Sequence, residues 1–149
     1  MAVRTHGLTH IALAVDDPEA SLKFYRTVLG VVPVYRHKNF IQAQTPGSRD
    51  VLVFQRSRAM AGKRGGAHHF GFRLTKVSDF AAALKAIERA GGFVEDEGEF
   101  APGSPYVFFR DPDGYMVEIW YELPTPMDPP ARTRALKGRN IRLSSRSIH

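Results

Sequence analysis

Residues 10–15 read HIALAV and residues 69–74 read HFGFRL. Laid over one another, the two segments put His69 on His10 at an offset of 59 residues. The residues after each segment match as well. Beyond the first, Asp17–Pro18 sets a cap residue before a proline at the first helical position, Leu22, Tyr25 and Leu29 recur at three- and four-residue spacing, and Gly30 supplies the stop. Residues 8–15 therefore predict a strand running into a helix. Val31–Tyr35, Phe40–Ala43 and Val51–Gln55 predict three short strands, separated by polar residues 37–39 and by the turn formers Thr45, Pro46, Gly47 and Ser48. The order is βαβββ. Beyond the second segment, Ser78 is expected to cap a helix whose core face is Phe80, Leu84 and Ile87. Gly91 and Gly92 end it, and strands come next at about 93–97, 105–109 and 115–121. Between the last two strands Asp111-Pro112-Asp113-Gly114 is a strong turn, its glycine free to take positive φ.

A repeated supersecondary unit outweighs local propensity. The fold class it predicts is α+β, two tandem βαβββ modules. Module one is placed at 6–57 and module two at 67–123, joined by a glycine-containing linker at 58–66 that carries Arg58, Lys63 and Arg64; together 1–123 form a single domain, with a proline-containing basic tail at 124–149.

The chain has 149 residues, 43% hydrophobic and 24% charged, the balance of an ordinary globular protein. A domain of this size buries roughly 70% of the surface its unfolded chain exposes, so it needs no cross-links. The absence of cysteine excludes a disulfide framework, a thiolate zinc site and a cysteine nucleophile; any metal must be held by nitrogen and oxygen. No stretch approaches the roughly 20 apolar residues of a membrane span, and a cytoplasmic location is expected. Of the net charge of +6, +5 lies in the tail, where Arg132, Arg134, Lys137, Arg139, Arg142 and Arg146 face one acid, Asp128. The body is nearly neutral and no aromatics interleave with the tail's charges, so nucleic acid is not the expected partner.

Strand alternation puts His10 on one face with Ala12 and Ala14, and His69 on one face with Gly71 and Arg73, leaving room beside each imidazole. Glu118 shares a face with Trp120 while Val117 and Ile119 take the other. A carboxylate among such neighbours needs a cation, because an unpaired buried charge costs several kcal/mol. Arg73 or Arg110 is one answer, and a lone strand histidine is ordinarily a hydrogen-bonded structural residue. The alternative is a 2-His-1-carboxylate site drawn from three strands, which suits Fe(II) or Mn(II), with Ni(II) and Zn(II) as alternatives. Both histidines falling at one position of the repeat favours the second reading.

The segments LTHIALAVDDPEASLKFYRTVLG (8–30), HHFGFRL (68–74) and FFRDPDGYMVEIWYE (108–122) resemble the vicinal oxygen chelate superfamily: glyoxalases, extradiol dioxygenases, fosfomycin-resistance enzymes and bleomycin-binding proteins. The resemblance implies paired βαβββ modules in a half-closed mixed sheet around a divalent metal, with His10, His69 and Glu118 as ligands and His68 as second choice to His69. Glyoxalase I-like members carry a further glutamate at the end of module one; here aligning DVLVF with YMVEI puts Val53 there, which favours a three-ligand site. The ring-cleaving and fosfomycin-modifying members usually place a tyrosine ten residues before the glutamate. That position is Phe108, and Tyr106, two residues earlier, is the candidate catalytic acid, with Tyr115 structural.

The expected activity is that of a small extradiol-type dioxygenase on a catechol-like substrate, in a pocket lined by Phe40, Gln42, Phe70, Phe108 and Trp120. The alternatives are a glyoxalase, isomerase, lyase or fosfomycin-type transferase, and a non-catalytic binding protein, which the three ligand-type residues argue against. One metal per chain is expected, with binding weakening below about pH 6.5 because imidazole coordinates only when neutral. Open sheet edges and the need for two units to enclose a cavity predict a homodimer, with His10 of one chain completing the site of His69 and Glu118 of the other and the tail reaching across.

Overall fold

The computed structural model describes residue 8, residues 10–63 and residues 65–124. The tail, and with it the expectation that it reaches a neighbour, lies outside the described residues. Module one runs β1 (His10–Val15), α1 (Pro18–Leu29), β2 (Val32–His37), β3 (Phe40–Gln44) and β4 (Val51–Arg56). Module two runs β5 (Phe70–Arg73), a 3-10 turn (Val77–Asp79), α2 (Phe80–Arg89), β6 (Phe93–Ala101), β7 (Ser104–Arg110) and β8 (Met116–Trp120).

α1 begins as its sequence directs: the Asp17 side chain accepts the N–H of Glu19 at 3.0 Å, Pro18 fills the first turn, and Gly30 closes the helix at φ 69°. α2 starts differently from the expectation. Ser78 lies inside the 3-10 turn, the extended residue is Lys76, and α2 opens at Phe80 with no side-chain cap bond. The chain already turns before the helix, so Ser78 is not in the extended conformation a capping residue needs. β6 also exceeds its expected span, running to Ala101. The added residues 98–101, with Gly98 and Glu99, suit an exposed edge strand.

Each module forms a four-stranded sheet, in the orders β1-β4-β3-β2 and β5-β8-β7-β6, with a parallel first pair and antiparallel remainder. The arrangement is two mixed sheets and no closed barrel. Register makes the repeat literal: Ala12 and Gln42 flank Val53 across β1-β4-β3, and Gly71 and Phe108 flank Glu118 across β5-β8-β7. Val53 is thus the structural counterpart of Glu118.

One face of each sheet is apolar and meets the helices. Leu13, Val15, Ile41, Ala43, Leu52 and Phe54 from module one join Val107, Phe109, Val117 and Ile119 from module two. Burying each such side chain contributes about 1.5–3 kcal/mol. α1 unites the halves: Tyr25 stacks on Phe54 at 5.2 Å, and Phe24 meets Phe109 at 6.2 Å. A polar clasp reinforces the join. Tyr25 donates to Asp111 Oδ2 at 2.7 Å, Asp111 Oδ1 accepts the N–H groups of Asp113 and Tyr115, and Asp113 accepts from Asp16 N and Ser21 Oγ. Burial pushes the Tyr25 phenol well up and raises the Asp111 carboxyl. Among the described residues no helix is long and apolar enough to cross a membrane.

Candidate functional site

Opposite the core face, each sheet presents a second face of mixed character. On module two it carries Glu118 and Trp120 from β8, with Phe108 and Tyr106 directly across on β7. His69 lies just before β5 and brings Nε2 to 3.4 Å from Glu118 Oε2; the imidazole is 35% exposed and the carboxylate 10%. Burial raises the Glu118 carboxyl, and the nearby His69 opposes that shift. The arginines offered as structural partners are engaged elsewhere, Arg73 with Glu122 at 2.9 Å and Arg110 with Glu95 at 2.8 Å.

Gly71 is part of this arrangement. A Cβ there would stand 3.2 Å from Glu118 Oε2, so the glycine keeps clear the space beside the carboxylate. A nearly buried oxygen donor facing an imidazole across a kept-open space fits a divalent cation bound through nitrogen and oxygen. His69 also meets His68, Nδ1 to Nδ1 at 2.8 Å, so the second-choice histidine contacts the ring next to it.

His10 stands apart from this pair. It borders a hollow of about 370 Å³ lined by Ala12, Phe40, Gln42, Arg49, Val51, Val53 and Gln55 of module one, and a second of about 190 Å³ that it shares with Phe70, Gly71 and Phe72 of module two. Among the described residues no group of three or more His, Cys, Asp or Glu converges. The structure therefore joins two of the three expected ligands and leaves the third on the other sheet. Phe40 and Gln42 accompany His10, while Phe108 accompanies His69, edge to face at 5.0 Å. Phe70 packs toward the core, stacked near Tyr25 at 6.5 Å, because strand alternation sends it away from Gly71. Tyr115 is structural: its hydroxyl donates to Ala14 O at 2.9 Å.

Tyr106 donates to Asp96 Oδ2 at 3.2 Å and stacks on Phe100 at 4.4 Å. The hydrogen bond to Asp96 is the chief cause that holds its phenol above the ordinary value, and the charge of Glu118 adds to it. Asp96 and Gly98 were not among the residues expected here. A Cβ on Gly98 would stand 3.0 Å from the Tyr106 hydroxyl, so only glycine lets the ring lie there. The glycine between acids in EDEGE was the available signal.

The sequence model of the Glyoxalase/Bleomycin resistance protein/Dioxygenase superfamily matches residues 7–119. The chain belongs to that superfamily. Within it, a probable lactoylglutathione lyase of Vibrio cholerae is 28% identical over 76% of this chain and 89% of its own. A manganese-dependent 2,3-dihydroxybiphenyl 1,2-dioxygenase of Geobacillus genomosp. 3 is 29% identical over 91% of this chain and 42% of its own. Among solved structures, the fosfomycin resistance protein FosX of Mesorhizobium loti superposes with a TM-score of 0.67 at 18% identity, covering 80% of this chain and 95% of that one. The superfamily thus includes lyases and a dioxygenase, and the fold is shared with a resistance protein.

Proposed function

We propose that this superfamily member is a metal-dependent enzyme whose ligands are His69, Glu118 and His10, acting as an extradiol-type dioxygenase on a catechol-like substrate. The observation that carries the reading is the His69–Glu118 pair over Gly71, together with Val53 at the register position of Glu118. The module-one counterpart supplies no oxygen donor, which supports a three-ligand set with positions left for substrate.

When bound, a divalent ion, Fe(II) or Mn(II) on this donor set, supplies Lewis acidity toward vicinal oxygens. The chain's own residues do the rest. Phe108 and Trp120 offer planar walls beside Glu118, which suits an aromatic ring. Tyr106, oriented by Asp96 and kept protonated at neutral pH, is the acid within the same face. A homodimer would supply the missing donor: among the described residues no three ligand-type side chains converge within one chain, so His10 of a second chain is the proposed third ligand.

The test is to load the full-length protein anaerobically with Fe(II), Mn(II), Ni(II) or Zn(II) and to measure O₂ uptake on a panel of catechols. The Fe(II) or Mn(II) form is expected to consume O₂ and give a coloured ring-opened product, more slowly in Tyr106→Phe. The second reading, a lyase, is favoured by the Vibrio cholerae relative and opposed by Val53. Activity on a methylglyoxal adduct or on fosfomycin, with no catechol turned over, would move the assignment away from the dioxygenase.

A further inference from the structure

A separate cavity of about 330 Å³ lies at the seam of the two modules, where β1 approaches the residues leading into β5. Its apolar walls include Ala12, Ala14, Met60, Phe70 and Met116, and its charged or titratable lining is Lys63, His68, His69 and Tyr115. Among the described residues no Asp or Glu borders it. An apolar chamber of this size with a few polar groups and one lysine in its lining is the form of a small-molecule site.

The lysine is carried by a fastened segment. Ser57 N donates to Val15 O at 2.9 Å and Ala61 N to Ser57 O at 2.9 Å, which tie the linker to the end of β1. Gly62 takes φ 73°, and a Cβ there would stand 2.2 Å from Asp113 O. The backbone one residue before Lys63 is therefore held against both modules, and only glycine fits that position. No described acid pairs with Lys63.

We propose that this cavity binds the acidic end of an organic anion, a carboxylate or phosphonate on an apolar body about the size of one aromatic ring, with Lys63 as counter-charge. His69 forms the wall between the cavity and Glu118, so a ligand anchored at Lys63 directs its far end toward the His69–Glu118 pair. That consequence for substrate class, an acid-bearing substrate, rests on the metal-site reading; the binding itself does not.

The experiment uses the full-length protein freed of metal by chelation, titrated calorimetrically with benzoate, phenylphosphonate and the neutral benzamide. Both anions are expected to bind about tenfold or more tightly than benzamide, and more weakly as salt is raised. Lys63→Met is expected to lose about tenfold in benzoate affinity with benzamide unchanged, while Lys63→Arg retains it. Lys63 is exposed, so neither variant endangers the fold. Equal binding of benzoate and benzamide, no binding of either anion, or undiminished benzoate binding by Lys63→Met would overturn the proposal. Lys63-dependent binding in a protein that takes up no metal leaves the cavity standing and removes the metal reading; metal uptake without it does the reverse.

Discussion

His69 has two ring nitrogens with two different neighbours, Glu118 at Nε2 and His68 at Nδ1. For Nε2 to offer a lone pair to a cation, the proton of a neutral imidazole must sit on Nδ1, where His68 Nδ1 at 2.8 Å can accept it. His68, which the sequence offered as a substitute ligand, is thereby placed to fix the tautomer of the ligand beside it. His68→Ala is expected to stay folded and to lose about 10- to 100-fold in metal affinity, while His69→Ala and Glu118→Gln lose most of their metal altogether. Elemental analysis after dialysis against graded free metal separates the cases; unchanged affinity in His68→Ala would remove that role. Sequence alone did not disclose this pairing, because alternation assigns neighbouring residues to opposite faces and both histidines precede β5.

The β7–β8 turn shows how far an element can be read before its neighbours are known. Asp111-Pro112-Asp113-Gly114 closes as its composition dictates, with Gly114 at φ 92° and its N–H on Asp111 O at 3.0 Å. That much is local. The use of its two aspartates to hold α1 of the other module is not local, since Tyr25 and Asp111 lie 86 residues apart. Similarly, helix α1 was legible through its caps, whereas β6 was legible only over its first part, because the Gly98 and Glu99 beyond it look alike on an edge strand and in a loop. Removing the clasp has a calculable direction. Asp111→Ala leaves the buried Tyr25 hydroxyl and two N–H groups without their acceptor, and is expected to cost about 3 kcal/mol, read as a fall in thermal midpoint. The pH dependence comes from burial, which raises the Asp111 carboxyl in the folded state. Its contribution is fully present below the unfolded value of about 3.9 and is lost as pH rises through the raised folded value. Asp111→Asn, which keeps a carbonyl oxygen for the two N–H groups, should flatten that part of the stability profile; an unchanged profile would show that Asp111 does not carry it.

At the scale of the whole molecule, the repeat and the division of the ligand-type residues between its two modules were legible in the sequence, whereas how the modules face one another was not, because spacing along a chain does not fix it. The shared-site reading has a direct check. Mixing equal amounts of His10→Ala and Glu118→Gln chains is expected to restore metal to about a quarter of the native sites, since roughly half the dimers are mixed and each holds one intact set and one doubly damaged set. A monomer in light scattering, or mixtures with no recovery, would show that each chain builds its site alone. The pairing of Val53 with Glu118 by register has one more consequence. A scaffold made of two like halves would treat a flat guest alike from either end. With valine at one of the equivalent places and a carboxylate at the other, the halves become a greasy side and an ionic side. A molecule with oxygens along one edge and bare carbon along the other then has a single way to lie, so orientation is decided by one side chain on a frame that would otherwise be indifferent.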